Sequence, residues 1–342
     1  MKPIPTLEWK HDRLILLDQR RLPSSESYIQ CASVEELAEA IRTLTVRGAP
    51  AIGIAAAWGA VLAMIQSGGG TDFRERCLEY LDVLGGTRPT AVNLFTCLDV
   101  QRKIVQSCGS WEEGVSLLME SASKLQREDL EASLAMGRFG SDLLPEECTV
   151  LTHCNAGGLA TAGLGTALAV VYQAFECGKL KLVYADETRP LLQGARLTSW
   201  ELSRAGIPVR VIPDSAAASV IRSGKIDAVI TGADRVAMNG DSANKIGTYS
   251  LALAAAEAGV PFYIVAPVST FDPDSPDGSF IRIEERGREE LASLGGTQLL
   301  PEGVDVFNPA FDVTPVRFIT GIVCERGVIK APLELESKVD KN

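Results

Sequence analysis

The feature that most constrains the fold is an alternation of short β-branched runs with helical stretches in the second half of the chain. Runs typical of buried strands lie at residues 149–153, 181–185, 209–212, 227–232 and 262–267. Successive runs start roughly 20 to 35 residues apart, the spacing that βαβ units require. Near-continuous apolar strands are typical of a parallel sheet covered on both faces. We therefore expect an α/β fold in which residues 145–342 form a Rossmann-like catalytic domain.

Residues 1–144 show another pattern, which predicts a smaller, mainly helical N-terminal domain with a small antiparallel sheet. Two strand-like runs, TLEW and RLILLDQ, open this part of the chain. Ser33 and Glu36 have the spacing of a capping box in front of the helical run VEELAEAIRTL. Two amphipathic segments, WEEGVSLLMESASKLQ and LEASLAMGRFGSDLL, follow further on. The boundary between the two domains is expected between residues 125 and 147.

Charge and cysteine usage exclude several classes of protein. Lys and Arg number 33 and Asp and Glu number 44, so the formal net charge is −11. That balance argues against a general nucleic-acid binder, but a few placed cations and backbone amides still suffice for a small phosphate. The eight cysteines form no C-x-x-C pair, so neither a zinc site nor a redox motif is indicated. With no apolar signal at the start, we expect a cytoplasmic protein with reduced thiols.

One uncharged stretch, Ala49 to Ile65, resembles a membrane span. A span needs about 20 strongly apolar residues, whereas this stretch is mostly Ala and Gly with Pro50 near its start. We therefore expect a buried core helix and no membrane partner.

Polar residues follow each of the first four strands of the predicted sheet, where ligands bind in open α/β folds. The segments concerned are 153–158, 186–190, 214–215 and 232–235. Cys154 precedes the Gly-rich run GGLATAGLGTAL, which we expect to open a helix, and a helix N-terminus favours the thiolate. Asp234 follows a buried strand, where loss of solvent favours the neutral acid and allows proton donation. A buried inert cysteine and an aspartate that caps the next turn are the alternatives.

Other residues suggest anion binding. Asn244 and Lys245 lie near an expected helix start that Thr248 could cap, and backbone amides plus an ammonium group make an anion site. Arg47 and Arg88 each stand beside a tight Gly-containing turn, an arrangement suited to phosphate or sugar hydroxyls. His153 is interpreted as structural or supporting, because strand neighbours point to opposite faces. The chain has neither a Walker loop nor a G-x-G-x-x-G after the first strand, so we expect no nucleotide cofactor and no metal.

Taken together, these motifs resemble those of the methylthioribose-1-phosphate isomerase family, aldose–ketose isomerases of methionine salvage. The resemblance rests on VRGAPAIG, TRPTAVNL, THCNAGGLAT, ADETRPLLQGARLT, GADRVAMNGDSANKIGTY and IEER, and continues to NPAFDVTPVRFITGIV. The fold is shared with ribose-1,5-bisphosphate isomerase and with the regulatory subunits of the translation-initiation guanine-nucleotide exchange factor. Arg282 stands where Pro is expected before IEER, outside the motifs that carry the chemistry.

The resemblance implies specific roles for residues of this chain. Cys154 matches the catalytic cysteine and Asp234 the proton donor, while the substrate contacts match Arg47, Gly48, Ala49, Arg88, Gln193, Asn244 and Lys245. The substrate would be a small sugar phosphate, 5-methylthioribose 1-phosphate, and the protein a homodimer without cofactor. Hydrogen transfer between C2 and C1 through an enediolate or by a hydride shift remains open. The alternative functions are ribose-1,5-bisphosphate isomerase and a non-catalytic regulatory subunit.

Overall fold

The computed structural model describes residues 5–88 and 92–330. Its backbone contacts divide the chain into two compact units. The N-terminal unit ends at Leu134 and also contains Gly157–Gly165. The C-terminal unit contains Ala135–Ala156 and everything described from Thr166 onward. The domain limits 1–144 and 145–342 remain a prediction.

The N-terminal unit combines a small antiparallel sheet with helices. The strands pair in the order β1-β2-β3 and are β1 (Leu7–Lys10), β2 (Arg13–Leu17) and β3 (Tyr28–Cys31). The helices are α1 (Val34–Arg42), α2 (Ala49–Ser67), α3 (Phe73–Gly85), α4 (Val92–Ser107) and α5 (Trp111–Ser141). The last turns of α5, from Ala135 onward, belong to the C-terminal unit. Ser33 caps α1 as predicted, because its hydroxyl accepts the amide of Glu36 at 3.2 Å.

Two long helices, α5 and α2, test predictions made from the sequence. The two amphipathic segments are one continuous helix, α5, of 31 residues, because the link Arg127-Glu128-Asp129 contains no Gly or Pro that would end it. Among the described residues, α2 is the one helix long and apolar enough to pass for a membrane span. Most of α2 is buried inside its unit, so the predicted core helix is confirmed.

The C-terminal unit contains a seven-stranded, mostly parallel sheet in the order β16-β15-β10-β7-β4-β5-β6. Its strands are β4 (Cys148–Thr152), β5 (Leu180–Asp186), β6 (Val209–Ile212), β7 (Ala228–Thr231), β10 (Phe262–Val265), β15 (Gly321–Cys324) and β16 (Gly327–Ile329). The bounds of β4, β5, β6, β7 and β10 agree with the predicted runs to within one or two residues. The helices are α6 (Ala167–Glu176), α7 (Ser199–Arg204), α8 (Ala217–Arg222), α9 (Thr248–Ala258) and α10 (Glu289–Ala292).

The strand order places a topological switch point between β4 and β7. Chain order runs outward from β4 through β5 to β6 and then returns to β7 on the other side of β4. This is the doubly wound order, in which ligands bind where the strand order reverses. Cys154 follows β4 and Asp234 follows β7, so the two candidate catalytic residues follow the strands that flank the switch point.

The C-terminal unit also contains a second sheet, which was not predicted from the sequence. It has the order β11-β8-β9-β14, with β8 (Arg235–Ala237), β9 (Ser242–Lys245), β11 (Phe271–Asp272) and β14 (Phe311–Thr314). Asn239-Gly240 connects β8 to β9, and Asn-Gly is a strong hairpin signal that was available in the sequence. A short hairpin, β12 (Ser293–Leu294) and β13 (Thr297–Gln298), completes the strands.

Candidate active site

Cys154 has a strained backbone that hydroxyl groups hold in place. Its φ of +60° lies in the left-handed region, which is uncommon for a residue with a side chain. The amide of Cys154 donates to Oγ1 of Thr188 at 2.8 Å, and its carbonyl accepts from Oγ1 of Thr198 at 2.6 Å. These two bonds fix the half-buried thiol at the end of β4.

The predicted helix directly after Cys154 is wrong. The next α-helix, α6, begins at Ala167, and a short 3₁₀ turn at Gly158–Ala160 lies between them. Small residues spaced by Gly interrupt the helical pattern there, and segment Gly157–Gly165 packs in the N-terminal unit. The helix start that the sequence suggested beside the thiol is therefore replaced by a 3₁₀ turn, and the dipole of α6 begins thirteen residues after Cys154.

The connection after Cys154 is anchored by a buried acid. Nδ2 of Asn155 donates to Oε1 of Glu201 at 2.6 Å, and the hydroxyl of Tyr172 donates to the other oxygen of Glu201 at 3.2 Å. The side chains of Asn155 and Glu201 are buried. A fully hydrogen-bonded buried network of this kind rigidifies the backbone next to it.

Lys245 lies at the end of β9 and is buried, with Nζ 4.7 Å from the centre of the Phe311 ring. Burial lowers the pKa of the Lys245 ammonium, whereas the negative charges of Cys154 and Asp234 act on it in the opposite direction. The fold therefore brings the thiol, the carboxyl group and the ammonium within electrostatic reach of one another. Arg286 also acts on Lys245 and helps to lower its pKa.

Asp234 stands in the short link between β7 and β8. Its amide donates to the carbonyl of Ala243 at 2.9 Å, which joins the link to β9. Its side chain is half-buried, so the carboxyl group retains access to solvent and to a ligand. The expected rise in its pKa remains a prediction.

The helix start after Lys245 differs from the expected anion site. Gly247 is the N-cap of α9, and Thr248 is its first helical residue, so Thr248 does not cap it. The hydroxyl of Thr248 instead accepts from Nδ2 of Asn244 at 3.0 Å. Asp312 on β14 accepts the amides of Gly247 at 2.7 Å and of Tyr249 at 3.1 Å. The protein's own carboxylate thus occupies these amides, and they are not available to an external anion.

Gln193 is buried directly before a π-helical turn, Gly194–Thr198. A side chain at Gly194 would collide with the carbonyl of Asp186, so glycine lets the turn approach β5 closely. Among the described residues, the buried Oε1 of Gln193 has no hydrogen-bond partner. A buried amide oxygen without a partner is suited to accept a hydrogen bond from a hydroxyl group of a ligand.

His153 is buried beside Asp186, 2% and 1% exposed. Its Nδ1 lies 2.8 Å from Oδ2 of Asp186, and its Nε2 lies 2.9 Å from the carbonyl oxygen of Ile246. Ligand atoms of His153, Asp186 and Asp214 lie within 4.8 Å of one another, as a metal site would need. Both oxygens of Asp214, however, already accept the amides of Thr188 and Arg189 at 2.7 Å. The cluster is therefore a hydrogen-bond network.

The remaining predicted contacts belong to the N-terminal unit. Gly48 is the N-cap of α2 with a φ of +90°, and Arg47 precedes it. A Cβ at Gly48 would lie 2.5 Å from Cα of Ala160, so glycine is required there. Arg88 is half-buried, and the rest of its motif, residues 89–91, lies outside the described residues.

Three residues near the site were not singled out from the sequence. Arg286 lies between two carboxylates, with Nε 3.1 Å from Glu284 and Nη1 3.3 Å from Glu290. Arg286 and Asp312 both fall in runs that carry the resemblance, IEER and NPAFDVT, but only long-range pairing brings them near Lys245. Thr188 belongs to ADETRP, and its role depends on a positive φ that the sequence does not show.

Comparison with known proteins gives a consistent result. The sequence profile described as the Initiation factor 2 subunit family matches residues 45–331. A protein named methylthioribose-1-phosphate isomerase from Thermotoga neapolitana is 52% identical over 96% of both chains. Its namesake from Geobacter metallireducens is 50% identical over 95% of both.

Two solved structures resemble nearly the whole chain. The 5-methylthioribose 1-phosphate isomerase of Pyrococcus horikoshii OT3 superposes with a TM-score of 0.94 and 46% identity, over 100% of this chain and 97% of the other. A structure described as translation initiation factor eIF-2B, subunit delta, from A. fulgidus gives 0.88 and 44%, over 97% of both chains.

Proposed function

Starting from the fact that the chain belongs to the Initiation factor 2 subunit family and, within it, to the methylthioribose-1-phosphate isomerases, we propose that it converts 5-methylthioribose 1-phosphate to 5-methylthioribulose 1-phosphate. It is a sugar-phosphate aldose–ketose isomerase, an intramolecular oxidoreductase, and its relatives' name is consistent with a place in methionine salvage. The observation that carries the residue assignment is the grouping of Cys154, Asp234 and Lys245 at the ends of β4, β7 and β9.

Asp234 is the proton donor of this proposal. The phosphate on the anomeric oxygen blocks spontaneous ring opening, so the ring oxygen must be protonated before its bond to C1 breaks. Asp234 follows a strand at the switch point and keeps its side chain partly exposed, as a donor to a bound sugar must. The carboxylate that remains after proton transfer is stabilised by the Lys245 ammonium nearby.

Cys154 is the proton acceptor. In a hydride shift, the hydrogen on C2 moves with its electron pair to C1, and the thiolate removes the proton of the C2 hydroxyl. In the enediolate route, the thiolate removes the hydrogen of C2 as a proton, which then returns to C1. Both routes need a thiolate, and the Lys245 charge favours it. Neither route calls for a metal or a nucleotide.

The substrate contacts are assigned from the charge and hydrogen-bonding capacity of the predicted residues, each within its own unit. Arg47 and the amides at the Gly48–Ala49 start of α2 suit the phosphate, because a helix N-terminus attracts anions. In the C-terminal unit, the amide oxygen of Gln193 and the side chain of Asn244 suit sugar hydroxyls. Arg88 completes the set of contacts.

The assignment is tested by Cys154→Ala and Asp234→Asn. Each should lower kcat by at least about a hundredfold, the lower range for a lost acid–base group, while the circular dichroism spectrum stays unchanged. Cys177→Ala and Asp274→Asn are matched controls at exposed positions and should leave the rate unchanged. Wild-type turnover in either site variant contradicts the assignment.

Substrate labelled with deuterium at C2 separates the two routes. A hydride shift keeps the deuterium on C1 of the product, whereas an enediolate exchanges it with water. Mass spectrometry of the ketose product after one turnover measures the retained label.

A regulatory role in translation is the alternative, because the A. fulgidus relative of 44% identity is described as an initiation factor subunit. Ribose-1,5-bisphosphate isomerase activity is a further alternative, which needs an additional cation for the second phosphate. An assay of ketose formation with both sugar phosphates decides among them. Turnover of the methylthio substrate alone supports the proposal, and turnover of neither supports the regulatory role.

We further propose a cytoplasmic homodimer. The eight cysteines, all within the described residues, form no disulfide, as expected where thiols stay reduced. Light scattering should give the mass of two chains, and a single-chain mass contradicts the dimer.

A further inference from the structure

We propose that His153 is a positioning residue for the isomerase reaction: a protonated imidazolium that holds the Lys245–Gly247 backbone against the end of β4. The inference rests on the proposed function, because Lys245 and Cys154 belong to its active site. It assigns a chemical state and a task to a buried group that the mechanism itself does not use.

The hydrogen bonds define the protonation state. A carbonyl oxygen only accepts, so the 2.9 Å contact with Ile246 requires a proton on Nε2 of His153. The 2.8 Å contact of Nδ1 joins the ring to the carboxyl group of Asp186, which accepts a proton-bearing nitrogen when it is ionised. Burial raises the pKa of Asp186, whereas the hydrogen bond and the charge of His153 lower it and favour the ionised pair that we propose. With an acceptor at each nitrogen, the ring donates twice and carries a positive charge.

Carboxylates face this ring from several elements. Asp186 comes from the end of β5, Asp214 from the turn after β6 and Asp312 from β14, and the charges of all three interact with His153. Burial alone lowers the pKa of His153, but the hydrogen bond and the charge of Asp186 outweigh burial and raise it. The ammonium of Lys245, on β9, is the cation nearest in sequence to the segment that the ring holds.

The segment that follows Lys245 is held from two sides. His153 binds the carbonyl of Ile246, while Asp312 binds the amide of Gly247 at 2.7 Å. Gly247 has a φ of +105°, and a Cβ there would lie 3.0 Å from Cε1 of His153. The ring and the glycine therefore fit each other closely, and movement of the ring displaces the backbone that carries Lys245.

This arrangement replaces the helix dipole that the sequence suggested beside Cys154. Because α6 begins only at Ala167, its dipole does not start at the thiol, and the charge of Lys245 is one that acts on Cys154. His153 sits next to Cys154 in the chain and bonds to the residue next to Lys245. His153 thus sets the distance between the Cys154 thiol and the Lys245 ammonium, because only one peptide bond separates it from Cys154 and its hydrogen bond ends on the residue after Lys245.

Nuclear magnetic resonance tests the charge state without substrate. The chain has two histidines, and the exposed His11 is assigned by comparison with His11→Asn. In ¹⁵N-histidine-labelled protein, His153 should show both ring nitrogens protonated at pH 7. A neutral ring at pH 7 overturns the proposal. This measurement stands whether or not the protein turns over methylthioribose 1-phosphate.

Kinetics test the positioning role. His153→Asn keeps a donor towards Asp186, His153→Gln keeps one towards Ile246, and Asp186→Asn leaves the ring without its counter-charge. Each should lower kcat at least about tenfold with KM changed less than about threefold, because small displacements of positioned groups act mainly on the chemical step. His11→Asn should leave both constants unchanged.

A merely structural role predicts another pattern. The variants would then lose thermal stability while kcat per folded molecule stayed at the wild-type value, and that result overturns the proposal. Asp186→Asn preserves the volume and one hydrogen bond of the pair, so it is the variant expected to fold if the His153 variants do not. An inactive wild type with a protonated His153 refutes the proposed function and leaves the charge assignment standing.

Discussion

Two helix starts of this protein look alike in sequence and differ in structure. Helix α2 begins after Arg47-Gly48, and α9 begins after Lys245-Ile246-Gly247, so each has a glycine N-cap with a cation close before it. At α9, the carboxylate of Asp312 accepts the amides of Gly247 and Tyr249. At α2, the first turn contains no acidic residue, and within the described part of the chain no carboxylate accepts its first amides.

The difference shows which part of a helix-start pattern predicts a ligand site. Glycine and a neighbouring cation favour an anion at the start of α2 and at the start of α9, but at α9 the anion is the protein's own Asp312 side chain. In the N-terminal unit, the corresponding half-buried carboxylate, Asp129, accepts the amide of Ala162 at 2.8 Å. Asp129 therefore binds the loop that packs against Gly48, and the start of α2 is open in the sense that no carboxylate of the described residues accepts its amides.

The largest effect is expected from Gly48→Ala. The new Cβ would lie 2.5 Å from Cα and 2.7 Å from Cβ of Ala160, and the φ of +90° is unfavourable for alanine. Overpacking of this kind costs about 1–3 kcal/mol, and the displaced start of α2 should lower kcat/KM by about a hundredfold. Steady-state kinetics and thermal unfolding measure both effects. Gly69→Ala, where a Cβ meets nothing within 4 Å, is the control and should behave as wild type.

Asp312→Ala tests the occupied helix start. Loss of the carboxylate leaves two amides of α9 without their acceptor, which should destabilise the protein by about 2–3 kcal/mol. Chemical denaturation at pH 7 measures the change. Asp277→Ala removes a carboxylate that accepts the amide of Ser279 in front of a short 3₁₀ turn and should cost well under half as much. Equal losses in the two variants contradict the structural importance of Asp312.

The strands of the large sheet were predictable because their information is local. Runs such as 181–185 and 262–267 are β-branched and apolar, and the structure places β5 and β10 there. The polar residues at the ends of β4 and β7 were likewise predictable, since parallel strands end at one edge. Their catalytic roles remain a prediction.

The supporting contacts were not predictable because they depend on long-range pairing. Asp312 reaches the start of α9 only because β14 pairs with β9, opposite Asn244. The left-handed backbone of Cys154 depends on hydroxyls of Thr188 and Thr198, which lie more than thirty residues away. A local reading of GGLATAGLG predicted a helix start, whereas the segment packs with Thr6 and Gln19 of the N-terminal unit.

Inorganic phosphate should distinguish the open helix start from the occupied one. At ten times its dissociation constant, a ligand that binds only the folded state stabilises it by about 1.4 kcal/mol. We expect this rise in thermal stability for wild type and for Asp312→Asn, but not for Arg47→Ala. Sodium chloride at equal ionic strength controls for screening. A rise that survives in Arg47→Ala places the anion elsewhere and contradicts the assignment to α2.

Asp129→Asn should have the smallest effect, and its sign depends on pH. Burial raises the pKa of Asp129 from 3.8 to about 6, although the Ala162 amide opposes this. Between these values the folded state binds the proton more tightly than the unfolded state, so the contribution of Asp129 to stability falls as pH rises from about 4 to about 6. Above pH 6 the wild type keeps a desolvated charge that asparagine lacks, while the asparagine oxygen still accepts the Ala162 amide.

The variant should therefore be more stable than wild type by about 1 kcal/mol at pH 8, with the advantage shrinking towards zero at pH 4.5. Urea denaturation at both pH values measures the difference. Glu128→Gln, at an exposed neighbouring position of α5, should change stability by only a few tenths of a kcal/mol at either pH. A loss of stability in Asp129→Asn at pH 8 would show that the charge itself holds the loop beside Gly48. A carboxylate would then stabilise the surroundings of the α2 start, as Asp312 stabilises the start of α9, and the two helix starts would differ less than we infer.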